Sequence, residues 1–335
     1  MKNRPVIFIT AVSALGGLLF GFDTAVISGT IGMVRDQFHM GVDLEGWFVS
    51  SALVGCVIGV AFAGISSDAV GRKKVLFSSA LFFLISAIGC SMASTVTMLI
   101  GFRIIGGLGI GIGSILSPLY IAELSPTKLR GRLVALYQLA ITVGILTAYL
   151  SNAGLVNWLG QDNMNSWRWM FGTEAAPALI FLILLFFIPE SPRWLLSKNK
   201  QQRARTILKK YLPEEEALEQ LKNADKKDDN KERFSSIIKN RSLLGLLAIG
   251  SLLAALSQFS GINAIIYYGP DILTQAGLTL SESLGGQVSI GIVNVLFTFL
   301  AIWKIDSWGR KALLLLGIAG AFLALILCGV YFTFD

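Results

Sequence analysis

Charge is scarce along this chain. Of 335 residues only 15% are Asp, Glu, Lys or Arg, whereas 54% are hydrophobic and the mean hydropathy is +0.67. That balance excludes an ordinary soluble domain. Histidine occurs once, as His39 in a short loop between apolar runs, and no hydrolase or kinase constellation accompanies it, so no enzyme is expected. The three cysteines, Cys56, Cys90 and Cys328, all fall inside apolar runs and lack the spacing of a zinc site. They read as packing residues, and neither a metal nor a cofactor is expected.

What the chain has in abundance is long apolar stretches. Crossing about 30 Å of hydrocarbon takes roughly 20 helical residues, and nine stretches meet that length, near 6–30, 47–66, 76–95, 98–120, 132–154, 168–189, 243–268, 285–303 and 312–333. The first is too long for a signal peptide and shows no clear cleavage site. The expected fold class is therefore an all-α, multi-pass membrane protein.

The net charge of +7 does not point to nucleic acid, because the bases are sorted by loop. Outside the polar segment 190–242, one set of short loops carries Lys2, Arg4, Arg72, Lys73, Lys74, Lys128, Arg130, Arg132, Lys304, Arg310 and Lys311; the opposite set has only Arg35 and Arg168. Eleven bases against two place the N-terminus in the cytoplasm by the positive-inside rule.

Two loops repeat one pattern, SDAVGRKKV after the second span and IDSWGRKAL before the ninth. Asp68 and Asp306 are 238 residues apart, and the same offset carries the start of the first span to the start of the seventh. The chain thus reads as a six-span half over 1–189, a linker over 190–242 and a second half over 243–335. By that offset Asp335 corresponds to position 97, and three further spans would complete the second half. Either a fragment or a truncated form is expected. Sparse apolar positions in the linker, among them Ile207, Leu208, Leu218, Leu221, Phe234, Ile237 and Ile238, suggest two or three short amphipathic helices.

Within the spans, polar residues mark candidate sites. Asp23 interrupts the run from Val6 to Ile31, and Arg103 lies inside the fourth span; ionisable groups at such depth are costly and need partners. At about 1.5 Å per residue both fall in the outer half of the membrane, so they can pair. The amides Gln138, Gln258, Asn263 and Asn294 also fall inside apolar spans, where they suit either a hydroxyl-rich ligand or hydrogen bonding between helices. Gly261 can loosen the helix between Gln258 and Asn263. In RIIGGLGIGIG, Gly107 with Gly111 and Gly109 with Gly113 have the spacing that lets membrane helices approach closely.

Seven motifs occur in order: FGFDTAVISG, DAVGRKK, RIIGGLGIGIG, AELSPTKLRGR, PESPRWLL, QFSGINAIIYYGP and DSWGRK. Together they resemble the sugar porter branch of the major facilitator superfamily, and bacterial proton-coupled sugar symporters of the xylose type in particular. The resemblance implies a major facilitator fold with nine of twelve transmembrane helices present, and sugar/proton symport by alternating access across the inner (cytoplasmic) membrane. It implies a monosaccharide, a proton and the lipid bilayer as partners. Asp23 would carry the proton with Arg103 beside it. Gln138, Gln258, Asn263 and Asn294 would contact sugar, with Phe20 lining the cavity and Tyr267 and Tyr268 near its outer gate. Asp68, Arg72, Glu123, Arg130, Arg132, Glu190, Arg193, Asp306 and Arg310 would form a cytoplasmic latch. A structural Asp23–Arg103 pair in a uniporter and a non-transporting sugar sensor are the alternatives. Ser257 and Ile145 stand where many or some relatives have glutamine, and this leaves the sugar open.

Overall fold

The computed structural model describes residues 3–160, 163–225 and 241–334. Nine helical stretches among them are long and apolar enough to cross a membrane, from Pro5–Gly29 to Ser307–Leu327, and each overlaps one of the stretches expected from hydropathy. Helix α1 (Asn3–Val26) continues through a 3-10 turn (Ile27–Gly29) into α2 (Ile31–Phe38). It is followed by α3 (Val42–Val70), α4 (Arg72–Met92), α5 (Val96–Leu124) and α6 (Arg130–Leu159). The sixth span is split into α7 (Ser166–Thr173) and α8 (Ala175–Leu185). Pro177 accounts for the split: it has no N–H to return to the carbonyl of Thr173.

Glycine sets the closest helix crossings. A Cβ on Gly107 would lie 2.1 Å from the Ala52 carbonyl oxygen and one on Gly111 2.3 Å from that of Cys56; from the facing helix, Gly55 and Gly59 meet the carbonyls of Ile104 and Leu108 at 2.0 and 2.6 Å. α3 and α5 therefore touch backbone to backbone. Gly109 and Gly113 turn instead toward Ser79 on α4, so the two glycine registers of α5 serve two neighbours. α1 meets α6 in the same way through Gly21 and Gly144. Without a hydrophobic drive between helices in lipid, such close approach is what supplies the packing energy.

Three short helices follow on one end of the bundle: α9 (Pro192–Ser197), α10 (Gln201–Tyr211) and α11 (Glu214–Asp225). Ser191 caps α9 by accepting from the Trp194 N–H at 3.2 Å, and Pro192 takes the first helical position, where its missing donor costs nothing. α10 buries Ala204 and Leu208, one turn apart. α11 is tied to the α5–α6 loop by the Thr127 N–H, which donates to Glu216 at 3.0 Å. Phe234, Ile237 and Ile238 lie outside the described residues.

The seventh span is broken. α12 (Arg241–Gln258) ends before Gly261, whose φ of +77° is open to glycine at little cost, and α13 (Ile262–Gln275) starts after it. α14 (Leu280–Phe334) contains two spans and turns at Gly309, where φ is +78°. The later spans join the earlier ones mainly where α14 meets α6, with Gly291 against Tyr149 and Leu146. Ile266 and Leu284 enter the same buried cluster as Phe22, Val26, Tyr149, Trp167 and Phe171.

Candidate functional site

Asp23 and Arg103 meet inside the bundle. Arg103 Nη1 donates to Asp23 Oδ1 at 3.4 Å, and both side chains are 2% exposed. Glu174, fully buried at the break between α7 and α8, lies within electrostatic reach of both. Arg103 also stands over the Phe171 ring, 5.7 Å from its centre, a favourable place for a cation. Among the described residues, Asp23 Oδ2, Arg103 Nε and both Glu174 carboxylate oxygens have no hydrogen-bond partner. Two buried acids thus lie near one base, Asp23 in contact with it and Glu174 only within its field, in a place where uncompensated charge is expensive. Such a group of three can hold one exchangeable proton.

Glu174 was not among the sequence candidates. It carries the same signal as Asp23, an acid within an apolar span, since it falls inside the stretch 168–189, and that signal is enough to find it. What the fold adds is its partners: at the break between α7 and α8 it comes within electrostatic reach of Asp23 and Arg103.

The amides divide into a joined pair and two separate positions. Across the break in the seventh span, Asn263 Nδ2 donates to Gln258 Oε1 at 2.8 Å. Gln138 on α6 is exposed and Asn294 on α14 is partly buried; among the described residues neither bonds to the Gln258–Asn263 pair. Tyr267 and Tyr268, both half-buried, follow Ile266, whose carbonyl accepts from Tyr149 Oη at 3.3 Å. Phe20 is partly buried on α1. These amides offer both donors and acceptors, the combination that uncharged hydroxyls need.

At the end of the bundle that carries α9 to α11, Arg72 is the hub. Its Nη1 contacts Asp68 Oδ1 at 2.8 Å, and its Nε lies 3.5 Å from Glu123 Oε2. Glu123 also accepts from the Ser191 hydroxyl, with Arg193 in electrostatic reach. Glu190 accepts from the backbone N–H of Lys73 at 3.0 Å and of Ser191 at 2.8 Å, and the Trp194 indole donates to the Asp68 carbonyl at 3.1 Å. The loop after α3, the end of α5 and the start of α9 are thereby stitched together. Arg130 and Arg132 begin α6 close by in sequence and Arg310 is exposed; the side chain of Asp306 lies outside the described residues.

A broken-helix bundle with a buried acid–base group and amides beside a helix break defines a membrane transporter. The chain belongs to the family described as "Sugar (and other) transporter", whose family model matches residues 9–335. It is 41% identical over 337 residues to a protein of Bacillus subtilis named "Arabinose-proton symporter", covering 98% of this chain and 72% of that one. It is 37% identical over 362 residues to the "D-xylose-proton symporter" of Escherichia coli, covering 98% and 73%. Among solved structures, the proton:xylose symporter XylE bound to 6-bromo-6-deoxy-D-glucose superposes with a TM-score of 0.82 at 36% identity, over 93% of this chain and 71% of that one. The fold is that of the major facilitator superfamily, and the protein is a multi-pass membrane transporter rather than an enzyme.

Proposed function

We propose that this protein takes up a monosaccharide together with a proton, by alternating access between the half over 1–189 and the spans from 243 onward, with 190–242 as their cytoplasmic linker. In this reading the protein lies in the inner (cytoplasmic) membrane with its N-terminus in the cytoplasm. The group formed by Asp23, Arg103 and Glu174 carries the reading, because a uniporter has no need of two buried acids competing for one base. The names of the two relatives support it. Asp23 is the proton site and Arg103 its counter-charge. Gln138, Gln258, Asn263 and Asn294 hold sugar hydroxyls, with Phe20, Tyr267 and Tyr268 around them. The charges centred on Arg72 latch the cytoplasmic face, with Arg130, Arg132, Arg193, Asp306 and Arg310 in the same set.

The test is uptake into proteoliposomes. A proton gradient should drive sugar accumulation, and sugar entry should alkalinise the outside. Asp23→Asn keeps the side-chain size but removes the titration, so it should still exchange sugar across the membrane while failing to concentrate it. Full proton-driven accumulation by Asp23→Asn would remove the coupling role and leave a structural ion pair.

A further inference from the structure

At the end of the bundle opposite the Asp68–Arg72 loop, one base faces three acids. Arg35, in the last turn of α2, has its Nε 3.5 Å from Asp36 Oδ1, and its Nη1 3.5 Å from Glu45 Oε2 and 3.7 Å from Asp271 Oδ2. Glu45 belongs to the first turn of α3, whereas Asp271 lies on α13, three residues beyond Tyr268. The approach is close: a Cβ on Gly32 would lie 3.7 Å from both Arg35 Nη2 and Asp271 Oδ1. Arg168, the other base of these loops, is engaged elsewhere, donating to the carbonyls of Ser91 and Ala93 and stacking 4.3 Å above Trp167.

We propose that Arg35 is the positioning residue of the outer gate: by bridging Glu45 to Asp271 it holds half-helix α13, and with it Asn263, Tyr267 and Tyr268, closed against the first six spans. The break at Phe259–Gly261 frees α13 to swing independently of α12. Its middle is held by the Tyr149–Ile266 hydrogen bond, and its outer end by the Arg35–Asp271 contact. Partial burial opposes the charge on Arg35, but the three carboxylates, Asp271 foremost, outweigh it and raise the pKa of the guanidinium, so Arg35 stays charged. Calling this gate the outer one rests on the orientation proposed above.

The excess of acid makes the proposal asymmetric. Neutralising Arg35 both cuts the tie and leaves Asp36, Glu45 and Asp271 repelling one another. Neutralising Asp271 cuts the tie but also removes one repelling charge. A passive surface bridge would give two similar losses.

Amide hydrogen exchange over residues 262–275, measured on the purified protein in detergent without sugar or a proton gradient, reads gate opening directly. Arg35→Gln should exchange about two- to fivefold faster than the parent, the range of a part-exposed ion pair, and Asp271→Asn less than that. Arg35→Gln with Asp271→Asn should fall back toward the parent, and Arg35→Lys should stay close to it. If Arg35→Gln does not fold, Asp271→Asn alone must still speed exchange. Unchanged exchange in Asp271→Asn, or a double variant that exchanges faster than Arg35→Gln, overturns the proposal. Because the readout needs no transport, loss of the gate and loss of the symport reading are separable outcomes.

Discussion

Gly71 and Gly309, 238 residues apart, adopt closely similar backbone conformations: φ +109° with ψ 155° at the first, φ +78° with ψ 157° at the second. The repeated Asp-x-x-Gly-Arg-Lys pattern therefore has a conformational counterpart, a turn that only glycine enters cheaply. The surroundings differ. A Cβ on Gly71 would lie 2.4 Å from Glu190 Oε2, while among the described residues one on Gly309 meets nothing within 4 Å.

Alanine at either glycine should cost about 1–3 kcal/mol for a positive-φ, extended backbone that is essentially reserved for glycine, and Gly71→Ala should cost more because it also displaces Glu190 from the Lys73 and Ser191 amides. Thermal unfolding in detergent checks this. Equal losses at the two positions would mean that the Glu190 clasp contributes nothing.

Packing of α3 on α5 gives a sharper contrast. Gly107→Ala places a methyl 2.1 Å from the Ala52 carbonyl oxygen, whereas among the described residues Gly101, on an exposed face of the same helix, has nothing within 4 Å. Gly107→Ala should lower stability by about 1–3 kcal/mol through overpacking against backbone that cannot yield. Gly101→Ala should be neutral or stabilising by up to about 1 kcal/mol through helix propensity. The unfolding midpoints of the two variants should move in opposite directions or differ clearly.

Removing Arg103 exposes the dependence of the two acids on their base. Arg103→Gln leaves Asp23 and Glu174 buried with no counter-charge, a loss on the order of 3 kcal/mol or more for a broken buried pair. Adding Asp23→Asn removes one of the stranded acids, so the double variant should be more stable than Arg103→Gln alone. If the two losses simply add in unfolding experiments, the groups are not coupled.

In sugar binding, Gln258→Ala should weaken affinity more than Gln138→Ala. Gln258 would contribute its own contact and also anchors Asn263 across the helix break through the 2.8 Å bond; both glutamines are exposed, but Gln138 sits on an unbroken helix. Each neutral hydrogen bond is worth about 0.5–1.5 kcal/mol, so the difference should be visible by calorimetric titration of the two variants. Equal or reversed losses would argue against the break as the ligand-holding element.

The spans, the glycine stripe on α5 and the meeting of Asp23 with Arg103 were all legible along the chain. Hydropathy is a local property judged against a fixed bilayer thickness, glycine spacing against a fixed helical repeat, and depth follows from counting residues. Gly261 likewise announced a break that the structure places between Gln258 and Ile262. Partner choice was another matter. Glu123 lies near Arg130 and Arg132 in sequence, yet Arg72, from the start of α4, comes within 3.5 Å of it; Glu190 sits close to Arg193 but binds backbone amides at Lys73 and Ser191. Glu174 joins Asp23 from 151 residues away and Asp271 reaches Arg35 from 236. Sequence sets which residues are polar and how deep they lie. Which of them touch depends on how the helices are ordered around the bundle and how each is turned about its axis, and that is decided only when backbone meets backbone at glycines such as Gly107, Gly111 and Gly21.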